Sequence, residues 1–451
     1  MQRYDSYKPS DVEWIGEIPS HWEYGRIKYL LSRSSAGVWG DDALENEDDI
    51  ICYRVADFDY NHGILNQDNI TLRNIQRKQL VGRLVSKGDL LVEKSGGGDT
   101  TPVGRVVRVN FSDKATCSNF IHSLSVNIKN NSSFLYYYFH QLYSNRINLL
   151  FFNQTTGIQN LQIDCYLSQG LYLPPLEEQE RIAEYLDRRC AEIDGIINKE
   201  EQAIALLDEL KQTIISEAVT RGLDRTVPLK PSGVDWIGNI PSHWQMWKVK
   251  YLLNNETYNI KTGPFGSQLK GNDLKEEGEV RVYNQRNVID NDFTTTKYYV
   301  SKEKADILSS FFTKENDILI TTRGTIGRAS ILPYNAPMGI LHPCLIALRM
   351  NAALILRKYL LVYINYFKGF SENIFLLSNA TTIEVIYSDT LKNVYVPLPP
   401  LEEQERIAEY LDRRCAEIDE AKERKQQQIE LLREMKQTLI SDAVTGRVKV
   451  F

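Results

Sequence analysis

The residues of this chain best suited to chemistry lie in short polar turns that follow apolar runs. In the second half these are Lys261, Gly263, Ser267, Gln268 and Lys270 in KTGPFGSQLK, Asn284, Gln285 and Arg286 in NQRN, and Thr321, Thr322, Arg323 and Arg328 in TTRGTIGR. The first half offers Trp39, Gly40, Tyr53, Arg54, Lys94, Ser95, Gly96 and Arg105. Glycine lets a backbone N–H approach a phosphate, and Lys, Ser and Thr side chains contact phosphate oxygens. Arginine pairs bidentately with guanine, and Asn or Gln with adenine. These turns therefore suit recognition of a nucleic acid. Ordinary surface turns share this composition, so the residues alone leave both readings open.

Catalytic constellations are not expected. The sequence holds no GxxxxGK[ST] phosphate loop, no HExxH pair and no Asn/Asp-Pro-Pro-Tyr/Phe block of the amino-methyltransferase kind. SGGGD at 95–99 lacks the third glycine of a dinucleotide fingerprint. Glu434-Met435-Lys436 spells the end of a nuclease motif but lies within a helical pattern, where a solvated face explains it. His21 and His243 recur in IPSHW without a second ligand nearby and are read as structural. Cys52, Cys117, Cys165, Cys190, Cys344 and Cys415 form no CxxC pair and no metal-type spacing, which fits free thiols in a reducing cytosol. No run of 18 apolar residues occurs, and the N-terminal stretch is polar. No membrane span and no secretion signal are expected, which points to the cytoplasm.

The elements that must position these turns come in duplicate. LPPLEEQERIAEYLDRRCAEID occurs at 173–194 and again at 398–419. VEWIGEIPSHWEYGRIKYLL (12–31) matches VDWIGNIPSHWQMWKVKYLL (234–253), and LLDELKQTIISEAVT (206–220) matches LLREMKQTLISDAVT (431–445). Between these anchors AGVWG (36–40) aligns with TGPFG (262–266), CYRVADF (52–58) with VYNQRNV (282–288), and KGDLLVEKSGGGDTTPVGR (87–105) with ENDILITTRGTIGR (315–328). The chain is therefore an internal repeat, each copy a variable part followed by a near-constant segment.

Each near-constant segment reads as one long helix. Pro175 and Pro400 suit a first helical position, and the acids behind them suit the positive end of the helix dipole. The first apolar seam runs through Ile182, Leu186, Cys190, Ile193, Ile197, Ile204, Leu207, Ile214 and Ala218. The second runs through Ile407, Leu411, Cys415, Ile418, Ile429, Leu432, Leu439 and Ala443. That is coiled-coil spacing, with Gly222 and Gly446 as stops. Two stripes in one chain are expected to pack on each other, antiparallel. In the variable parts DLLVEK, DILITT, RVVRVN, LYLPP and VYVPLPP read as strands, and SSFLYYYFHQLYSN (132–145) and LILRKYLLVYINY (354–366) as helices whose aromatics belong to the core.

The net charge of −6 argues mildly against binding a polyanion, but its distribution does not. Residues 176–225 hold 13 acids and 7 bases, and residues 401–451 hold 12 acids and 10 bases, which leaves a net +2 elsewhere.

This layout resembles the specificity (S) subunit of type I restriction-modification systems: two IPSHW openings, two G-D/N-D turns before apolar strands, two PPLEEQ helix starts and a terminal AVTGRVKV. The resemblance covers nearly the whole chain, in order and in duplicate. It implies an α+β fold. Two mixed α/β target recognition domains (1–172 and 226–397) would be joined by two spacer helices (173–225 and 398–451) forming an antiparallel coiled coil with pseudo-twofold internal symmetry. It also implies a non-catalytic subunit without a cofactor of its own. Such a subunit reads double-stranded DNA as two half-sites with an unread spacer. It docks two methyltransferase subunits, which use S-adenosylmethionine, and restriction subunits, which use ATP and Mg. The first copy departs from the second in its longer glycine-rich turn, so contacts do not transfer between LVEKSGGGDTTPVGR and LITTRGTIGR. Two other readings stand beside this one: a self-sufficient methyltransferase or nuclease with an unrecognised site, and a coiled-coil interaction scaffold.

Overall fold

Both near-constant segments are single helices, Leu176–Arg221 and Leu401–Val444, in a computed structural model that describes residues 2–12, 14–98, 100–155, 157–378 and 385–451. Their starts are built alike. The Pro175 carbonyl accepts the amides of Glu178 and Gln179 at 2.9 and 3.0 Å, and the Pro400 carbonyl those of Glu403 and Gln404 at 2.9 and 3.0 Å. Acids in the first turn meet the positive end of the dipole. Gly222 and Gly446 end the helices with φ of +73° and +70°, a backbone conformation that glycine adopts at no steric cost.

The chain divides into two compact units, Met1–Gln202 with Lys425–Phe451, and Ala203–Arg424. Each unit therefore holds the start of one long helix and the end of the other.

The two anchors of the repeat meet at the helix starts. In the first unit the Trp22 indole N–H donates to Glu178 Oε1 at 3.1 Å, and His21 Nε2 lies 2.8 Å from Glu178 Oε2. In the second unit Trp244 donates to Glu403 at 3.0 Å, with His243 Nε2 at 2.8 Å. Both tryptophans are fully buried. The buried Gln179 and Gln404 side chains tie the starts to neighbouring backbone, Gln179 to the Asn131 amide at 2.9 Å and Gln404 to the Leu356 amide at 2.8 Å. The helix ends close on the same tryptophans. A methyl group on Gly446 would overlap the Pro19 ring and press on Trp22, and one on Gly222 would press on Trp244 and Glu403. The recurring histidines are thus parts of a structural junction.

Along the helices Ile182, Leu186, Ile193, Ile197, Ile407, Leu411, Ile418, Ile429 and Leu439 are buried, and Ile204, Leu207, Ile214 and Leu432 are half-buried. In the second unit Ile407 and Leu411 share one core with Ile215, Ala218, Val219, Trp244 and Tyr359, so the seam runs on into the globular part. Polar pairs join the helices antiparallel. In the first unit Lys436 meets Asp194 and Lys425 meets Glu200, each at 2.7 Å. In the second Lys211 meets Asp419 at 2.7 Å, the same pair one repeat away. Lys436, of the Glu-Met-Lys triplet, is therefore an interhelical cation.

The globular parts share one sheet order. In the first unit Leu31–Ala36, Ile121–Val126, Leu90–Glu93 and Val106–Arg108 lie side by side, extended at the edge by Ile64–Leu65 and Phe58–Asp59. In the second the order is Ile260–Thr262, Leu345–Leu348, Ile318–Thr321 and Ala329–Ile331. Leu90–Glu93 and Ile318–Thr321 are buried throughout, which is why both read as unbroken short runs ahead of their polar turns. A second sheet in each unit holds a parallel pair, Asp49–Tyr53 with Ala115–Cys117 and Val280–Tyr283 with Gly339–Leu341, in matching register. The turn aspartates before the central strands are structural. Asp89 pairs with Arg33 at 2.7 Å and Asp317 with Arg349 at 3.0 Å. The Tyr-rich helices span Ser132–Ser144 and Arg357–Tyr366, with their aromatics largely buried. No described helix is long and apolar enough to cross a membrane.

Replacing Glu178 or Glu403 by Ala leaves a buried indole N–H unpaired. Each change is expected to cost about 1–3 kcal/mol, read as a lowered unfolding midpoint in denaturant. An unchanged midpoint for both variants would contradict the anchoring role.

Candidate nucleic-acid interface

The polar turns singled out in the sequence gather at one place in each unit, on a common frame of backbone hydrogen bonds. In the first unit the Ser118 amide donates to the Tyr53 carbonyl at 2.8 Å, and the Lys94 amide to Phe120 at 2.8 Å. Glu93 and Gly104 close the third turn, Glu93 N on Arg105 O at 2.8 Å and Gly104 N on Glu93 O at 2.9 Å. In the second unit His342 donates to Tyr283 at 2.9 Å, Thr322 to Cys344 at 2.8 Å, Thr321 to Arg328 at 2.8 Å and Gly327 to Thr321 at 2.9 Å. The alignments made from sequence are thus spatial equivalences. Gly37 and Gly263 complete the frame. A side chain on Gly37 would overlap the Cys117 and Ser118 carbonyls, and one on Gly263 the His342 carbonyl, so the fourth loop approaches to backbone contact.

The second unit presents open chemistry on this frame. Phe265, Ser267, Gln268 and Lys270 are exposed, and Gln268 holds the turn by accepting the Phe265 amide at 3.1 Å. Lys261 is packed under the loop, 4.3 Å from the Tyr258 and Phe311 ring centres, where burial lowers its pKa. Asn284 caps the short helix Gln285–Ile289 by accepting the Arg286 amide at 2.8 Å. Arg286 is exposed and reaches Asp290 at 3.0 Å. Thr321 and Thr322 are buried, and the Thr321 hydroxyl organises the turn by donating to the Thr325 carbonyl at 2.5 Å. Arg323 and Arg328 stand in solvent. The turn around Gly324 meets Gln285, since a methyl on Gly324 would lie 3.4 Å from the Gln285 amide. Between the Asn284–Asn287 turn and residues 292–298 opens a depression of about 840 Å³, floored by His342 and Cys344. Burial lowers the pKa of His342, which favours a neutral ring there. Lys297 and Tyr298 line the same depression, and sequence reasoning missed them. Their one signal was a cation beside aromatics in TTTKYY.

The first unit uses the same frame differently. Tyr53 turns inward, its ring 4.8 Å from Phe111, and burial raises its pKa. Arg54 is held by Asp57 at 2.8 Å. Trp39 lies under the Arg73 guanidinium at 4.5 Å, and Arg73 also donates to the Gly40 carbonyl at 3.1 Å. Ser95 donates to Asn160 at 2.6 Å, and Ser95–Gly96 pairs as a strand with Gln159–Asn160. Asp99, the last residue of SGGGD, lies outside the described residues. Arg105 clasps Glu93 with contacts at 2.7 and 3.2 Å and stacks on Tyr60 at 3.8 Å. Burial works against its charge, but Glu93 outweighs burial and raises the pKa. Lys94 is half-exposed. Most polar groups named for this unit are thus engaged internally. Among the described residues no group of three or more His, Cys, Asp or Glu side chains could hold a metal ion.

The contrast between equivalent arginines is testable. Arg105→Ala strands the Glu93 carboxylate, which is 1% exposed, and is expected to cost about 3–5 kcal/mol of stability. Arg328→Ala should change stability by no more than about 0.5 kcal/mol. Denaturant melts of both variants check this, and equal losses would refute it.

Comparison with known proteins agrees with this layout. The type I restriction modification DNA specificity domain model matches residues 19–206 and 249–431. The chain is 26% identical over 304 residues to the type I restriction enzyme MjaVIII specificity subunit of Methanocaldococcus jannaschii, covering 65% of this chain and 66% of that one. It is 25% identical over 293 residues to the EcoBI specificity subunit of Escherichia coli, covering 62% and 58%. The chain thus spans about three fifths of the length of the curated relatives it matches. Among solved structures it resembles a chain from a study of complex assembly and conformational transition of the type I R-M system (TM-score 0.68, 18% identity, covering 95% of this chain and 98% of that one). It also resembles the HsdS subunit of Thermoanaerobacter tengcongensis (TM-score 0.54, 18% identity, covering 96% and 98%), and at this identity both matches speak for the fold. With a family model matched twice across most of its length, on two units built to one plan, the chain belongs to the type I restriction modification DNA specificity domain family.

Proposed function

We propose that this chain is the non-catalytic DNA-reading subunit of a type I restriction-modification assembly, and that its two units read two unlike half-sites of one bipartite target. The observation that carries this reading is the shared loop frame. The same backbone hydrogen bonds hold equivalent turns in both units, while the side chains they project differ almost everywhere. A frame that is kept while its projections vary suits sequence discrimination better than catalysis, which needs one fixed constellation. The family match disfavours a self-sufficient enzyme or a simple scaffold. Such an assembly would work in the cytoplasm. The long helices would set the unread spacer. Their 46 and 44 residues correspond to about 66–69 Å of helix.

The partners are two copies of a methyltransferase subunit, which bring S-adenosylmethionine, and restriction subunits, which bring ATP and Mg. Duplicate docking is supported by an apolar pair that each repeat leaves in solvent: Leu206 and Leu210 in one, Leu431 and Met435 at the equivalent positions in the other. Spaced i, i+4, each pair forms a one-turn apolar patch. Exposed apolar patches on polar helices mark interaction sites.

Exchange of residues 233–397 for those of another specificity subunit, with the cognate methyltransferase supplied, tests the reading. Sequencing of methylated adenines should show one half-site replaced and the other kept; a change in both would refute separate reading. For docking, Leu206→Glu with Leu210→Glu should weaken association with the methyltransferase subunit at least about 10-fold in a sedimentation or calorimetric titration. The unfolding midpoint should be preserved, and unchanged affinity would remove the patch from the interface.

A further inference from the structure

The loop at the centre of each frame separates the two units most sharply. It runs Ser118-Asn119-Phe120 in the first and His342-Pro343-Cys344 in the second, closed alike by Ile121 N on Ser118 O and Leu345 N on His342 O, each at 3.0 Å. All the other candidate turns lean on it. In the first unit Gly37 packs on its backbone, Tyr53 accepts its Ser118 amide, and Lys94 and Ser95 both donate to the Phe120 carbonyl, at 2.8 and 3.0 Å. A group carried here stands in the middle of any surface these turns present.

In the second unit this loop is a floor. Cys344 is buried, Pro343 has no side-chain hydrogen-bonding group, and His342 and Cys344 line the depression. In the first unit the same positions stand out. Asn119 is exposed and makes no side-chain hydrogen bond among the described residues, and Phe120 is 43% exposed. A part-exposed aromatic ring beside an amide without a partner among the described residues has the make-up of a base-edge reader. An Asn amide pairs bidentately with N6 and N7 of adenine, and a phenyl ring packs on a thymine methyl. Lys94, joined to the loop by its own amide and without an ion pair among the described residues, supplies a cation for the adjoining phosphate. Apart from Lys94, most polar side chains named in the turns around the loop are engaged with protein, which leaves Asn119 and Phe120 as the projecting readers.

We propose that Asn119 and Phe120 determine the half-site read by the first unit. Asn119 takes an adenine edge in the major groove and Phe120 an adjacent thymine methyl. This rests on the DNA-reading function proposed above, and the test separates the two. The full chain, wild-type or carrying Asn119→Ala or Phe120→Ala, is co-expressed with its methyltransferase in a host lacking adenine methylation, and methylated adenines are mapped by long-read sequencing. The wild-type complex should mark one bipartite target. Each variant should relax a position of the half-site that exchange of residues 233–397 leaves intact. The preference for the native base there should fall roughly 10- to 100-fold, and the other half-site should be kept. Undiminished preference in both variants, or relaxation of the other half-site, overturns the proposal. If a variant abolishes methylation, competition binding by the purified complex decides: lost discrimination against substitutions in the first half-site supports the proposal, and retained discrimination overturns it. A wild-type complex that marks no bipartite target would instead refute the underlying function, and this assignment with it.

Discussion

The hydrogen bond from a buried tryptophan to the first-turn glutamate of a long helix is the contact on which each unit depends. Trp22 on Glu178 and Trp244 on Glu403 fix where a helix begins relative to the sheet that precedes it. The glycine at the end of the other helix closes on the same indole. A unit is therefore complete only when it holds a start from one repeat and an end from the other. This explains why the near-identical stretches are the openings IPSHW, the starts PPLEEQ and the helix ends: they are the parts that must fit one another.

The same constraint accounts for the placing of charge. For an acidic protein to bind a polyanion, as proposed for this one, its acids must lie away from the reading surface, since non-specific affinity comes from phosphate contacts and counterion release. Here the excess acid lies in the two long-helix segments. Part of it is matched across the helices, with Asp194 against Lys436, Glu200 against Lys425 and Asp419 against Lys211. The turns of the second unit keep Lys270, Arg323 and Arg328 in solvent.

Much of the architecture was legible because it rests on periodicity and repetition. Spacing marked the helices, the short apolar runs marked the central strands, and the order of weak matches between anchors placed Gly37 opposite Gly263 and Tyr53 opposite Tyr283. What stayed hidden was engagement. Arg105 and Arg328 occupy one position of the repeat, yet Glu93 clasps the first, whereas the second unit has Thr321 in place of Glu93 and leaves the arginine exposed. Tyr53 looked like a contact residue and is core. Nor do Asn119, Phe120, Lys297 and Tyr298 stand in any repeated or periodic pattern. Whether a polar side chain is available depends on a partner distant in sequence, and no local pattern encodes that.

Sharing a frame while varying its projections has a consequence for how specificity can change. The frame is made of main-chain bonds, glycines that admit no side chain, and turn aspartates paired with arginines. None of these depends on which residue stands at position 119, 120, 285 or 323. Under the proposed function, a substitution at such a position would change which base edge is favoured without repacking the core, whereas a substitution at Gly37, Asp89 or Glu93 would disturb the frame itself. The two units have used this freedom in opposite directions: a projecting amide and ring on one frame, a recess walled by Gln285, Lys297 and Tyr298 on the other. A projection and a recess cannot be complementary to one and the same duplex surface. Under the proposed function, two copies of this frame would therefore read unlike half-sites.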